Sequence, residues 1–303
     1  MSDSFDDVRF HHIHDSAITV LKGQDSLGIL DRLVTTNLEG MKNFDLRRAL
    51  FCDANGRVED ISTIISIEGQ ILMASSSDSS VQTRGKIIEG TSWNEDCSVI
   101  IGDEAIVHLS LIGRKNDDFS ELFYDIELLT ESSVSEYDNV IISIREYSGR
   151  KVIDFLIPTN EIENITSKLR EFGSVEKTSD CWEFFRISNG IVSIIDARGN
   201  LPSELGLSSL VSISKGCYPG QEIHARLDSR GRKVKSIVKI YCDDILEPGV
   251  LKIPEVGNIQ VTSNQYYNGK SASLAICRIF EGDKLEFALP GGSSAILKKF
   301  PFL

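Results

Sequence analysis

The sequence predicts an α+β fold that ends in a small all-β barrel. Two patterns lead to this prediction. Up to Lys235, short runs in which apolar and polar residues alternate, as in strands, are interleaved with segments whose apolar residues recur at helical spacing. Beyond Lys235, short strand-like runs follow one another, separated by glycine or polar turns, with no helical pattern.

The α+β part begins with a strand at SAITVLKG, followed by a helix capped at Asp25. The runs RRALFCD and RVEDISTIISI predict two strands, and Asn55-Gly56 between them is a strong hairpin signal. The next elements are a strand at GQILMAS, a helix at SSVQTRGKIIEG, strands at CSVIIG and AIVHLSLIG, a helix at DDFSELFYDIELL, a hairpin at NVIISIREY and KVIDFLI, and a helix at NEIENITSKLREFG.

Composition limits the class of protein. The chain has 303 residues, 41% hydrophobic and 25% charged, which is typical of a globular protein of two or three domains. The acidic start has no apolar signal region, and no run approaches the roughly 18 apolar residues that span a bilayer. We therefore expect a cytoplasmic protein without a membrane partner. A net charge of −13 argues against direct, broad binding of nucleic acid.

The metal-ligating residue types form no local ligand set. The six cysteines are scattered without a C-x-x-C pair, so we expect reduced thiols and no zinc site. His11, His12 and His14 lie close together but have no acidic or thiol partner at ligand spacing. We therefore predict no metal site.

The stretch SKGCYPGQEIHAR, residues 214–226, carries the strongest sign of chemistry. Cys217 lies in a predicted turn, between Gly216 and Pro219-Gly220. Glycines permit positive φ angles and close approach of another group, and Lys215 would favour the thiolate form of Cys217. These features predict an exposed, reactive thiol. The alternative is a tight turn in which Cys217 is a small apolar filler.

A basic island follows in this otherwise acidic chain. In RLDSRGRKVK, residues 226–235, one aspartate stands among five basic residues. These are Arg226, Arg230, Arg232, Lys233 and Lys235. Such an island is suited to an anionic ligand tail or to an acidic partner protein. The alternative is a solvated strand edge protected by its charges.

The string KGCYPGQEIHAR resembles the signature of the YgfZ family, relatives of the glycine-cleavage T-protein. Four further segments resemble the family in the expected order. They are GQDSLGILDRLVTTNLEGM, CDANGRVEDI, LPSELGL and GNIQVTSN. The resemblance implies a three-lobed ring in which one α+β lobe is inserted into another. Residues 1–50 and 140–235 would form the folate-binding lobe, 51–139 the inserted lobe and 236–303 the barrel.

The resemblance also implies a function. YgfZ-type members bind a reduced folate in a central channel and assist the assembly or repair of iron-sulfur clusters, including those of tRNA-modifying enzymes. The expected ligand is therefore tetrahydrofolate, and the expected partners are iron-sulfur client or assembly proteins. Cys217, with Lys215 beside it, corresponds to the cysteine implicated in that role.

The alternative function is that of an aminomethyltransferase or another folate-dependent one-carbon transferase. That chemistry needs a carboxylate near the folate nitrogen, and Asp60 resembles it. Since strand residues alternate, only one of Glu59 and Asp60 can face the channel; a water-facing edge carboxylate is the plain alternative. In FFRISNGI, Ser188 stands where the T-protein has a pterin-binding glutamate. A hydroxyl cannot reproduce the paired bonds of a carboxylate, so transferase activity is disfavoured.

Other residues are assigned to folate or to the cysteine loop. The forked guanidinium groups of Arg226 and Arg230 suit the glutamate tail of a folate. Because Tyr218, Gln221 and Glu222 belong to the family signature, the resemblance also assigns them to the folate-binding site. We expect Gln221 and Glu222 to orient the Cys217 loop through bonds to backbone groups, with helix capping as the alternative. His224 is expected to be an ordinary residue on a strand face.

Overall fold

A computed structural model describes residues 8–114, 117–120, 122, 129–147, 149–231, 233–254 and 257–300, without the side chain of Arg230. The chain divides into two compact units. The first comprises Met1–Ala49 and Ser62–Ser179, and the second comprises Leu50–Ile61 and Asp180–Leu303. The mixed α+β class predicted from the sequence is confirmed. The three lobes with their boundaries remain a prediction.

The first unit contains two sheets with helices. Its elements in chain order are β1 (Phe10–His14), β2 (Ser16–Lys22), α1 (Ser26–Leu33), β3 (Leu46–Cys52), β4 (Val58–Ile67), β5 (Gln70–Ser76), α2 (Ser77–Glu89), β6 (Ser98–Ile101), β7 (Ile106–Ile112), β8 (Val134–Tyr137), β9 (Val140–Tyr147), β10 (Arg150–Pro158), α3 (Ile162–Glu171) and β11 (Val175–Glu176). The strand orders are β11-β1-β7-β10-β9-β8 and β3-β4-β5-β2-β6. The boundaries between the units fall within β3 and β4.

The six-stranded sheet of the first unit has one apolar and one partly polar face. Leu109, Leu111, Ile153 and Phe155 pack with residues of α3, such as Leu169, into a buried cluster. Because side chains alternate along a strand, the residues between these core positions face the other side of the sheet. That side carries the polar residues His108, Ser110 and Asp154.

The second unit joins short helices to a C-terminal sheet that curls into a half barrel. Its elements are α4 (Ser179–Asn189), α5 (Ile194–Ala197), α6 (Gln221–Arg230), β12 (Lys235–Cys242), β13 (Gly249–Ile253), β14 (Gly257–Tyr267), β15 (Lys270–Arg278), β16 (Lys284–Ala288) and β17 (Ser294–Lys299). The strand order is β13-β14-β15-β12-β17-β16. All of its described strand pairs are antiparallel.

A buried ion pair ties three elements of this unit together. Arg186 of α4 donates to one carboxylate oxygen of Asp196 in α5 at 2.7 Å. The other oxygen of Asp196 accepts the hydroxyls of Thr262 and Ser263 of β14, at 2.6 and 2.7 Å. Arg186 is 1% and Asp196 is 0% exposed. A buried charge pair is tolerated only when such further hydrogen bonds satisfy it.

The structure differs from the sequence-based elements in two places. The histidines near the start lie in β1, a strand that was not predicted. Of the residues read as a possible strand edge, residues 226–230 lie in helix α6, as does His224, whereas Lys235 begins strand β12. The predicted helix at DDFSELFYDIELL falls largely outside the described residues. Among the described helices, none has the length and apolar character to cross a membrane.

Candidate functional site

Cys217 lies in an irregular loop that leads into α6 and is exposed to solvent. The exposure excludes the alternative in which it fills an apolar turn. Tyr218, the next residue, is buried, with 6% of its surface exposed. The Lys215 ammonium lies 5.6 Å from the centroid of the Tyr218 ring, on the same loop. The loop therefore presents the thiol outward and anchors itself by the neighbouring aromatic ring.

Two glycines allow this loop to pack closely against the hairpin between β3 and β4. Gly220 precedes α6 with a φ of 80°, and a Cβ atom there would lie 2.4 Å from the Gly56 Cα atom. Gly56 has a φ of 73°, and a Cβ atom there would lie 2.7 Å from Nε2 of His224. Both positions therefore require glycine for conformation and for space.

His224 joins the Cys217 loop to the hairpin by a hydrogen bond. Its Nε2 atom donates to the carbonyl oxygen of Gly56 at 2.8 Å, so in the neutral ring Nδ1 is the acceptor. The Tyr218 hydroxyl lies 3.4 Å from that Nδ1 atom and donates to it. Burial, with a smaller contribution from Cys52, raises the pKa of Tyr218 to about 12. The expectation that His224 is an ordinary strand residue missed this role; the helix start after Pro219-Gly220 was the available signal.

Gln221 and Glu222 behave differently from each other. The side-chain amide of Gln221 donates to the carbonyl oxygen of Lys215 at 3.0 Å, which closes the loop around Cys217. This is the kind of bond to backbone that was expected of Gln221. Glu222 instead pairs with Arg226 one turn later, at 2.5 Å, and both side chains are mostly exposed. Neither residue caps the helix, whose N-cap is Gly220.

Asp60 and Ser188, the residues assigned by analogy with the T-protein, lie in different surroundings. Asp60 is 0% exposed and Glu59 is half-buried, so Asp60 is not a water-facing edge carboxylate. One Asp60 oxygen accepts the N–H of Ile61 at 2.9 Å. Ser188 is half-buried in α4, and its carbonyl oxygen accepts the ammonium of Lys239. Within the described residues no hydrogen bond joins Ser188 to the Cys217 loop.

The comparisons with known proteins agree with the signature. No family model matches the chain. The protein named tRNA-modifying protein YgfZ in Vibrio atlanticus (strain LGP32) is 26% identical over 254 residues, which are 81% of this chain and 74% of that protein. The resemblance to the YgfZ family is confirmed. A second YgfZ relative, from Hamiltonella defensa, is 29% identical over 115 residues, 36% of this chain and 32% of the relative.

The fold resembles that of a solved structure. The crystal structure of glycine cleavage system aminomethyltransferase T from Bartonella henselae matches 98% of this chain and 86% of its own, with a TM-score of 0.80. The two sequences are 14% identical, so the likeness shows the fold alone. Together with the YgfZ relatives it supports a protein of the YgfZ and aminomethyltransferase type.

The basic island near the YgfZ signature is divided between two elements. Arg226 lies in α6 and Lys235 begins β12. The side chain of Arg230 and all of Arg232 lie outside the described residues. Lys233 lines a cavity of about 210 Å³ together with His224. This volume is below the roughly 300 Å³ at which small-molecule sites usually begin.

Lys235 also lines a groove of about 920 Å³ in the second unit. Arg198 and Arg278 lie in the same groove. Lys235 and Arg278 are direct partners across β12 and β15, an arrangement that like charges make unfavourable. Within the described part of the chain, no carboxylate pairs with either of them. The volume and the cations suit an anionic small molecule, and sequence reasoning missed Arg198 and Arg278.

Proposed function

We propose that the chain is a cytoplasmic YgfZ-type protein that supports the assembly or repair of iron-sulfur clusters through the thiol of Cys217. The observation that carries the proposal is an exposed thiol on a loop that is anchored by hydrogen bonds of Gln221, Tyr218 and His224. A thiolate is the form of cysteine that attacks disulfides and binds metal ions. An exposed loop presents the sulfur of Cys217 to a partner protein.

Lys215 and the neighbouring turn would serve the same chemistry. The ammonium of Lys215, 5.6 Å from the centroid of the Tyr218 ring, supplies positive charge on the loop that carries Cys217, and this charge would attract an anionic partner. The substrate would be a cluster, an iron donor or a thiol of the partner. The curated relatives are named tRNA-modifying proteins, and we propose tRNA-modifying cluster enzymes among the clients.

A cell-based replacement experiment tests the role of Cys217. In cells that carry only the Cys217→Ser variant, we expect a normally folded protein and loss of activity of iron-sulfur enzymes. Cys242→Ser is the matched control, because Cys242 is half-buried and its S–H donates to the Asp244 carbonyl, a bond that serine can keep. Unimpaired cluster-enzyme activity with Cys217→Ser would overturn the proposal.

Tetrahydrofolate is the proposed small-molecule ligand. The residues present fit its anionic glutamate tail and its pterin ring to different degrees. Tyr218 and Gln221 are already engaged in holding the loop. Arg226 has 59% of its side chain exposed and can exchange Glu222 for a ligand carboxylate. Ser188 offers one hydroxyl, without a hydrogen-bond partner among the described residues, to the pterin. The chain therefore fits the anionic tail better than the pterin ring.

The groove with Lys235 and Arg278 is the second place where a folate tail would fit by charge and volume. Anaerobic calorimetric titration with tetrahydrofolate separates the two positions. Binding that weakens in Arg226→Ala but not in Arg278→Ala places the tail at α6, and the reverse result places it in the groove. Absence of heat at high ligand concentration would refute folate binding and leave the proposal for Cys217 intact.

An aminomethyltransferase remains the second candidate function because Asp60 is a fully buried carboxylate, as an acid-base group near a ligand would be. An assay with a lipoyl-protein aminomethyl donor and tetrahydrofolate tests it. Turnover that is lost in Asp60→Asn and kept in Glu59→Gln would support this function. No turnover with folate bound would exclude it.

A further inference from the structure

The polar face of the six-stranded sheet brings together three side chains with metal-binding atoms. His14 of β1 is the direct partner of His108 in β7, and Asp154 of β10 is the partner of Ser110, two residues further along β7. The ligand atoms of His14, His108 and Asp154 all lie within 4.8 Å of one another. The side chains of His108 and Asp154 are only 18% and 12% exposed, so the group is largely buried.

Each of these side chains is already oriented by a neighbour. The Ser16 hydroxyl lies 2.8 Å from Nδ1 of His108, which leaves Nε2 directed towards Asp154 at 3.6 Å. The Ser110 hydroxyl bridges the group, at 2.6 Å from Nε2 of His14 and 2.5 Å from a carboxylate oxygen of Asp154. Metal-binding residues in proteins are commonly held by such outer hydrogen bonds.

Arg145 completes the surroundings of the group. Its guanidinium makes two bonds to Asp154, at 2.5 Å to Oδ2 and 2.7 Å to Oδ1. The positive charge opposes a second cation, but a metal ion requires only Oδ1. The bond to Oδ2 can remain as an outer contact that fixes the carboxylate plane. The Ser110 hydroxyl would rotate away from Nε2 of His14 as the metal ion takes its place.

We propose that His14, His108 and Asp154 bind a divalent transition-metal ion, with Zn²⁺ as the first choice. Two imidazoles and one carboxylate, with remaining positions open to water or to a ligand, are a common donor set for Zn²⁺ and for non-haem Fe²⁺. Tetrahedral Zn²⁺ with bonds of about 2.0–2.2 Å needs ligand atoms about 3.4 Å apart, so small side-chain rotations close the site. This site lies in the first unit and goes beyond the proposed function.

The alternative to a metal site is a hydrogen-bonded network of histidine, serine and aspartate that binds no ion. Titration of the chelator-treated full-length protein with Zn²⁺, Co²⁺ and anaerobic Fe²⁺ distinguishes the two. We expect one equivalent bound, and a Co²⁺ spectrum with ligand-field bands but without the charge-transfer bands of sulfur ligation. His14→Gln and His108→Gln each weaken binding by more than about 10-fold, and Ser16→Ala weakens it by about 10-fold.

Two controls keep the test decisive. His12→Gln changes a histidine that is not among the three ligands, although its ring lies 4.9 Å from that of His14, and it should weaken binding far less than His14→Gln does. The Gln variants keep the Asp154 to Arg145 pair intact, and circular dichroism with thermal melting verifies that they fold. Failure of all three ions to bind overturns the proposal. A sulfur-type Co²⁺ spectrum that persists in both Gln variants also overturns it, because the ion would then lie on cysteines.

Discussion

The Nε2 atom of His224 donates to the carbonyl oxygen of Gly56, 168 residues earlier in the chain, at 2.8 Å. This bond joins two segments that resemble the YgfZ family in sequence, the hairpin within CDANGRVEDI and the signature KGCYPGQEIHAR. A loop with an exposed thiol is therefore held by a partner that lies far from it in sequence. The family signature specifies a scaffold for Cys217 as well as the cysteine itself.

Replacing His224 with alanine should destabilise the second unit by about 1–3 kcal/mol, because the Gly56 carbonyl and the Tyr218 hydroxyl lose a buried partner. Urea denaturation measures the change. Glu222→Gln, which breaks only an exposed ion pair, should change stability by less than about 1 kcal/mol. The His224 variant should also alter the rate at which Cys217 reacts with a disulfide reagent. Equal stability of His224→Ala and Glu222→Gln would contradict the anchoring role of His224.

Replacing Gly220 with alanine should lower the free energy of unfolding by at least about 2 kcal/mol. Positive φ alone costs about 1–2 kcal/mol for an alanine, and the new Cβ atom would lie 2.4 Å from the backbone of Gly56. Gly216→Ala is the control in the same loop, since nothing lies within 4 Å of its Cβ position and its φ is not positive. Chemical denaturation should give a clearly lower free energy of unfolding for Gly220→Ala than for Gly216→Ala. Similar free energies would be inconsistent with the packing of the two glycine turns.

Ionisation of Tyr218 should be visible at high pH. Its pKa of about 12 lies above the usual value of 10, so between these values the folded chain binds more protons than the unfolded chain. The contribution of Tyr218 to stability is therefore complete below pH 10 and is lost as pH rises towards 12. Ultraviolet difference titration should show a late phenol step that is missing in Tyr218→Phe. A Tyr218 step at pH 10 would contradict its burial against His224.

Asp196→Ala should be among the most destabilising single changes in the second unit. It leaves the buried Arg186 with Glu183, at 2.6 Å, as its remaining counter-charge, and it deprives the hydroxyls of Thr262 and Ser263 of their acceptor. Removing one partner of a buried ion pair typically costs about 3–5 kcal/mol. Thermal melting of this variant beside Arg226→Gln, which loses only the exposed pair to Glu222, measures the contrast. Equal melting temperatures would show that the buried pair contributes no more than the exposed one.

Local sequence patterns predicted most of the helices and strands but few of the contacts between them. Alternation identified β2 and β4, and the Asn55-Gly56 signal identified the hairpin turn, because both depend on neighbouring residues. The glycines around Cys217 predicted a turn and close backbone approach, and both occur at Gly220. For Cys217 the sequence left two alternatives open, an exposed thiol and an apolar filler, and the structure has the exposed thiol.

The long-range partners could not be read from the sequence. His14 has no ligand partner nearby in the sequence, and strand pairing alone brings His108 and Asp154 to it. For His224, a lone histidine, we expected an ordinary position on a strand face, and the structure places it in helix α6. In each case the deciding contact spans tens to hundreds of residues, a distance at which spacing rules carry no information.

The division of β3 and β4 between the two units has a consequence for synthesis on the ribosome. Residues 50–61 leave the ribosome long before residues 180–303, with which they form a compact unit. At about 5–20 residues per second, the 168 residues between Gly56 and His224 take on the order of 10–30 s to translate. During that interval β4 can already pair with β5, but residues 50–61 lack their partners in the second unit, so the half-made chain exposes surface that the finished protein buries.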